Sequence, residues 1–210
     1  ITSQNEIGIA GANYGSDGQV LTSGGAGAAV AWEDAAGGGS LILIDTEEAS
    51  DDAEIVLTGL SSTYDTYLIA ISDLLPATDG DDLQLRVGDS SGVDSGSTDY
   101  SYHIMTVDDS STSYASRVHA GLSRIILTNG VGSATGEGVG AALWLHRPGD
   151  GTTQPLISGT VSSLTTGGIV RGGTLTARRT AVITLDRVQV HFSSGNITSG
   201  RVSVWGLKHA

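Results

Sequence analysis

The sequence predicts an all-β protein, an antiparallel jelly-roll-like β-sandwich preceded by an extended glycine-rich segment, and three observations carry that prediction. The first is a side-chain period of two in short runs. Tyr67, Ile69 and Ile71 alternate with Leu68, Ala70 and Ser72; Leu83, Leu85 and Val87 alternate with Gln84 and Arg86; Val202 and Val204 alternate with Arg201, Ser203 and Trp205. Each apolar set lies on one face of a sheet, and that face leaves water only by meeting another sheet. The second is punctuation: turn-forming residues break the runs every 8 to 12 residues or so, the spacing of sandwiches and barrels. The third is the lack of a helical signal, since even the best candidate, residues 113–122, has no sustained 3.6-residue apolar stripe. Nothing repeats at a fixed period of about 20 to 50 residues, which argues against a propeller or solenoid.

Taken in order, residues 1–39 read as a linker or shaft-attachment segment. The run Ala35-Ala36-Gly37-Gly38-Gly39 has no side chains whose burial would offset its ordering entropy. Ile7, Ile9, Tyr14, Val20, Leu21 and Trp32 are its sizeable apolar groups, and anchors so sparse need a neighbouring chain to bury against. Three copies in a trimer would pack them about the axis; alone, the segment would be a tether. The head begins at Ser40 and takes in residues 40–210. Residues 41–44 are a short apolar run, 47–54 an acidic loop and 55–57 a strand ending before Gly59. Residues 64–88 read as two strands joined by a turn at Pro76 and Asp79-Gly80. A Ser/Gly/Asp loop at 89–99 precedes the alternating YSYHIMTV of 100–107, and a polar loop follows at 108–113. Further strands are expected at 120–127, 138–146, 154–162, 168–173, 175–185, 187–193 and 201–207.

Composition bounds what such a chain does. With 210 residues, 31 glycines and 39% hydrophobic residues, one large β domain with many tight turns is accommodated. No apolar window approaches the roughly 18 residues a membrane helix needs, so no membrane insertion is expected. No basic leader opens the chain, and the first residue, Ile1, in place of a methionine suggests a fragment or processed chain. There are no cysteines, hence no disulfide frame and no thiol chemistry. Charge is distributed unevenly. The net charge is -13, with 20 Asp/Glu against one Arg in residues 1–110 and three Asp/Glu against nine Lys/Arg in residues 111–210. The acidic half would repel nucleic acid, and no nucleic-acid partner is expected. The basic half either pairs with the acidic one or meets an anionic partner.

Two stretches carry a resemblance. YDTYLIAISDLLPATDGDDLQLRVG, residues 64–88, together with SGNITSGRVSVWGLK near the C-terminus, resembles the globular end domain of bacteriophage tail and head fibre proteins, over roughly residues 60–210. GSDGQVLTSGGAGAAVAWED, residues 15–34, is similar to a segment that recurs in phage fibres between a slender shaft and a head, with Val30-Ala31 where a proline usually precedes the tryptophan. The resemblance implies a virion surface protein, assembled in the host bacterial cytoplasm. It implies a homotrimeric fibre or spike whose N-terminal segment joins a shaft, tail or capsid protein and whose head attaches to the host cell. A capsid-mounted head fibre or decoration protein and a polysaccharide-degrading tail spike stand as alternatives.

Attachment without catalysis is the expected mechanism, three weak sites gaining strength by avidity. A saccharide surface combines an aromatic platform with planar hydrogen-bonding groups, and the candidates are Tyr100, Tyr102, Tyr114 and Trp144 with Arg171, Arg178 and Arg179. Each aromatic has a core or interface role as its alternative, and the arginines have pairing with the acidic half. Asp79, Asp81 and Asp82 are the candidate Ca²⁺ ligands, without the late glutamate that would complete an EF-hand, and a solvated hairpin turn is their other reading; Asp108-Asp109 has the same two readings. His103, His119, His146, His191 and His209 show neither HxH nor HExxH spacing. Glu137 is a lone acid read as a turn residue, and no strand-borne acidic pair flanked by aromatics marks a glycosidase centre. No cofactor is expected.

Overall fold

A computed structural model describes residues 15–34, 40–111, 114–148 and 150–207. The chain divides into two compact units, residues 1–40 and 41–210. In the first, β1 (Gln19–Thr22) and β2 (Ala31–Asp34) pair antiparallel, with Leu21 opposite Trp32. Where the sequence reading has only an extended linker, these residues make a hairpin. Its connection turns on Gly25 and Gly27, both at positive φ. Ile7, Ile9, Tyr14 and the run 35–39 lie outside the described residues.

The second unit is all-β. Its strands are β3 (Leu41–Glu48), β4 (Ile55–Leu57), β5 (Thr66–Pro76), β6 (Asp81–Asp89), β7 (Gly92–Val93), β8 (Tyr100–Asp108), β9 (Tyr114–Leu122) and β10 (Ile125–Val131). They continue with β11 (Gly138–His146), β12 (Leu156–Leu164), β13 (Val170–Arg179), β14 (Arg187–Phe192) and β15 (Ile197–Leu207). One antiparallel sheet has the order β3-β15-β5-β11-β12-β13-β8-β9; the other has β10-β6-β14-β4, with β7 on the end of β6. The inward sets form a single core: Tyr67, Ile69, Leu143, Val202 and Val204 from the large sheet meet Leu83, Leu85, Val188 and Val190 from the small one. Alternation thus does what the period of two requires, and the two sheets make a sandwich.

Residues 64–88 are the main departure from expectation. Their two strands do not pair. β5 is flanked on both sides, by β11 and β15, while β6 lies in the other sheet between β10 and β14. The turn at residues 77–80 is therefore a corner between sheets, held by Ala77 N–H donating to Asn196 O and Gly80 N–H to Val131 O. A second corner lies at residues 123–124, so the expected strand 120–127 is two strands in different sheets. Conversely, the expected strands 168–173 and 175–185 are one strand, β13, which ends where Arg179 and Thr180 are bonded to the loop before β8. The acidic loop expected at 47–54 begins only after Glu48, which is still paired in the ladder with Arg201 of β15, their side chains 2.6 Å apart in an ion pair.

Register within the large sheet is set by a bulge. Asp73 has φ 52°, and the ladder to β11 shifts between Ala141 and Val139. On the other flank the ladder to β15 shifts around Ser199, and Gly200 takes φ 111° with its Cα so close to Asp73 that a Cβ would lie 2.4 Å from the Asp73 carbonyl oxygen. The bulge carries the buried alternation across Ser72-Asp73, so that Leu74 and Pro76 face the core as Ile69 and Ile71 do.

Candidate functional site

The aromatic residues proposed for ligand contact separate into two kinds. Tyr100 and Tyr102 are 0% and 4% exposed and belong to the core. Tyr100 Oη accepts from Val87 N–H and lies 2.9 Å from the carbonyl oxygens of Val87 and Asp94, which ties β8 to β6. Burial pushes its hydroxyl pKa upward. Tyr102 lies against the His119 imidazole, ring centroids 4.8 Å apart. Neither is a surface platform, because strand alternation turns both inward with Ile104. Tyr114 is 68% exposed and Trp144 37% exposed.

The arginines separate as well. Arg179 is almost buried, 2.7 Å from Asp94 and 3.1 Å from Asp99, and its guanidinium lies over Tyr100. It is a clamp on the loop before β8. Arg178, on the exposed face, donates to Gln154 Oε1. Arg171 donates from Nε and Nη2 to the two oxygens of Asp108, at 2.7 and 3.0 Å, and from Nη1 to Asn129 O at 2.6 Å. That bidentate pair holds the Asp108 carboxyl below the usual carboxylate range. Asp108, weighed as a cation ligand, is thus an arginine partner.

Tyr114 and Arg171 come together in one place. A pocket of about 260 Å³ opens at the β8–β9 edge and is lined by Tyr114, Arg117, Asn129, Arg171, Asp108 and Thr106 among others. It forms where β9, which among the described residues pairs with β8 alone, comes next to β10 of the smaller sheet, which supplies Asn129. Arg117 is opposite Ile104 in register, on the core side, yet exposed, and Nη1 donates to Asn129 Oδ1 at 2.6 Å. The wall therefore offers an aromatic ring, two guanidinium groups, an amide and one carboxylate already committed to an arginine. That set stacks on a sugar ring and hydrogen-bonds its hydroxyl or acid substituents. Arg117 and Asn129 were not among the sequence candidates. β9 is exposed along almost its whole length, so it has no apolar alternation to announce which way Arg117 points.

The three aspartates of the 77–82 corner do not converge. Asp79 Oδ1 accepts from Ser133 N–H and Thr166 Oγ1, Asp81 from Ser193 Oγ and Ser194, and Asp82 Oδ1 from Gly130 N–H. Each bonds a different part of the chain to the corner, and among the described residues no group of three His, Asp or Glu side chains could hold a metal ion. The histidines are likewise distributed: His103 Nε2 meets Ser116 Oγ, His146 Nε2 meets Ser158 Oγ, and His191 Nδ1 donates to Phe192 O; His209 lies outside the described residues. Both carboxylate oxygens of Glu137 are engaged, Oε2 by Ala134 N–H and Oε1 by Gly168 N–H, so it serves as a turn staple. No protein-family model matches the chain, and no curated protein or solved structure matches it.

Proposed function

We propose that this chain is the host-contacting part of a phage virion fibre or spike, a homotrimer joined through residues 1–39 to a shaft, tail or capsid protein, whose sandwich binds an acidic surface glycan without cleaving it. The resemblance of residues 15–34, of residues 64–88 and of SGNITSGRVSVWGLK near the C-terminus to phage fibre proteins supports the virion setting. The pocket at the β8–β9 edge supports the ligand class. In a chain of net charge -13 its lining holds Arg117 and Arg171 with one lining carboxylate, Asp108, beside the exposed Tyr114, and Asp82 also acts on Arg171. An acidic sugar entering from solvent would meet the exposed Arg117 guanidinium there, with Tyr114 as its stacking surface.

The test is a glycan array probed with the whole chain, followed by adsorption of particles to host cells in the presence of excess protein. Binding to carboxylate-, phosphate- or sulfate-bearing glycans, reduced at least tenfold by Tyr114→Ala or Arg117→Ala at unchanged melting temperature, is the expected result. A silent array, or variants that bind as well as the parent, overturns the reading. Release of reducing ends from a bound polysaccharide would replace adhesion by cleavage. Immunolabelled particles distinguish a tail mount from a capsid mount.

A further inference from the structure

The two sheets of the sandwich have outer faces of opposite character. That of the small sheet is closed by its own side chains: Arg86 donates to Ser123 O and Gln189 Oε1, and Gln189 donates in turn to Glu54, which leaves Gln84 and Gln189 buried. That of the large sheet is bare. Every exposed large apolar side chain among residues 41–207 except Val182 projects from it, Val118 at 76% exposure being the extreme. Two ridges stand out. In one, Leu43, Trp205, Leu68 and Trp144 lie side by side across four adjacent strands. In the other, Met105 and Val107 of β8 edge the opposite side, and Tyr114, on the edge strand β9, lies beyond the packed strands. Between them the outward mid-strand positions are small or hydroxylic, with Leu156, Leu164, Val170 and Arg178 at the strand ends, and two adjoining hollows of about 500 and 460 Å³ share Thr160 and Ser162.

We infer that this face is where copies of the chain pack against one another, the ridge of one entering the trough of the next. The inference rests on the oligomeric part of the reading above and not on its glycan part. Charge argues for a second copy as the occupant. None of the outward residues of β11, β12, β13 and β8 is an aspartate or glutamate, although the chain has 23 of them; Asp73 and Glu137 stand at the end of the larger hollow, Glu137 with both oxygens bonded to backbone amides. A partner that itself bears -13 can approach closely only where no carboxylate faces it. Area argues the same way. Six adjacent strands, β15 to β8, about 4.8 Å apart and about nine residues long at roughly 3.3 Å per residue, present about 860 Å². A stable interface buries about 800 Å² per partner. Composition agrees too, with tryptophan and methionine on the face and charge withdrawn from its centre, as in interface cores.

The test uses the absence of cysteine from the chain. Thr160→Cys places one thiol at the middle of the face, and Ala142→Glu with Thr174→Glu places carboxylates on the strands either side of it; all three positions are exposed, so the sandwich tolerates them. By light scattering the parent chain should have a mass that is a multiple of 21.3 kDa. The double glutamate variant should fall to one chain mass with unchanged circular dichroism, and the cysteine variant should cross-link to itself with a short bis-maleimide. An oligomeric double variant together with no cross-linking at Cys overturns the assignment of the face and leaves the trimer standing. A parent chain that is monomeric at milligram-per-millilitre concentration overturns both, and glycan binding, read separately on the array, is untouched by either result.

Discussion

At the scale of single residues, several side chains fixed in the interior have measurable duties. Tyr100 joins the sheets through its hydroxyl, and Tyr100→Phe leaves the Val87 amide without its acceptor. A buried polar group left unpaired costs about 1–3 kcal/mol, so the urea midpoint should fall with no change in slope. Arg179 neutralises two carboxylates at once, and Arg179→Met leaves Asp94 and Asp99 facing each other at the end of β13. A loss of about 2–4 kcal/mol is expected, recovered in part by Asp94→Asn in the same chain, as a double-mutant cycle would show. His191 sets a pH dependence. Burial holds its imidazole below the ordinary value, the hydrogen bond from Nδ1 to Phe192 O only partly opposing this, and Nε2 has no partner. The unfolded chain binds that proton at about pH 6.5, where the folded chain does not. Stability is therefore whole above about pH 6.5 and declines as the pH falls below it. His191→Gln should flatten that limb of the melting-temperature profile. The further loss at lower pH, as Asp108 and Asp89 take up protons, should remain.

At the scale of elements, the half-buried strands were legible and their partners were not. Alternation in β5, β6, β8 and β15 is strong in sequence because one face of each is core, and those strands stand where the pattern puts them. β9 left no pattern because it is an edge strand exposed along both faces, which is also why Arg117 escaped notice. The corner at residues 77–80 looks like a hairpin turn because proline and Asp-Gly make both; only the occupied flanks of β5 exclude the hairpin, and that is tertiary information. The candidate pocket was legible by half, through Tyr114 and Arg171, since burial of Tyr100 and Tyr102 depends on which sheet covers β8. The bulge in β5 offers an element-scale test. Gly200→Ala forces a Cβ onto the Asp73 carbonyl at an unfavourable φ, with an expected cost of about 2–4 kcal/mol. Thr198→Ala, nearby and exposed, should cost well under 1 kcal/mol by the same measurement.

At the scale of the whole molecule, charge and topology govern behaviour. If copies meet through a face whose central strands β11, β12, β13 and β8 turn no carboxylate outward, most of their mutual repulsion comes from the rest of a chain at -13 and is screened by salt. Self-association followed by sedimentation should thus strengthen from about 20 to 300 mM NaCl, whereas an interface built on ion pairs would weaken over that range. Topology has a different reach. β15 follows every other strand of the sandwich along the chain yet lies between β3 and β5. During synthesis its slot remains vacant until residues 197–207 have cleared the ribosome, so the flanks of β3 and β5 wait with unpaired amides and carbonyls. A translation product that stops short of Ile197 carries two open strand edges. Such a product exposes backbone edges to proteases and to other strands, so the large sheet closes only once its last strand is in place.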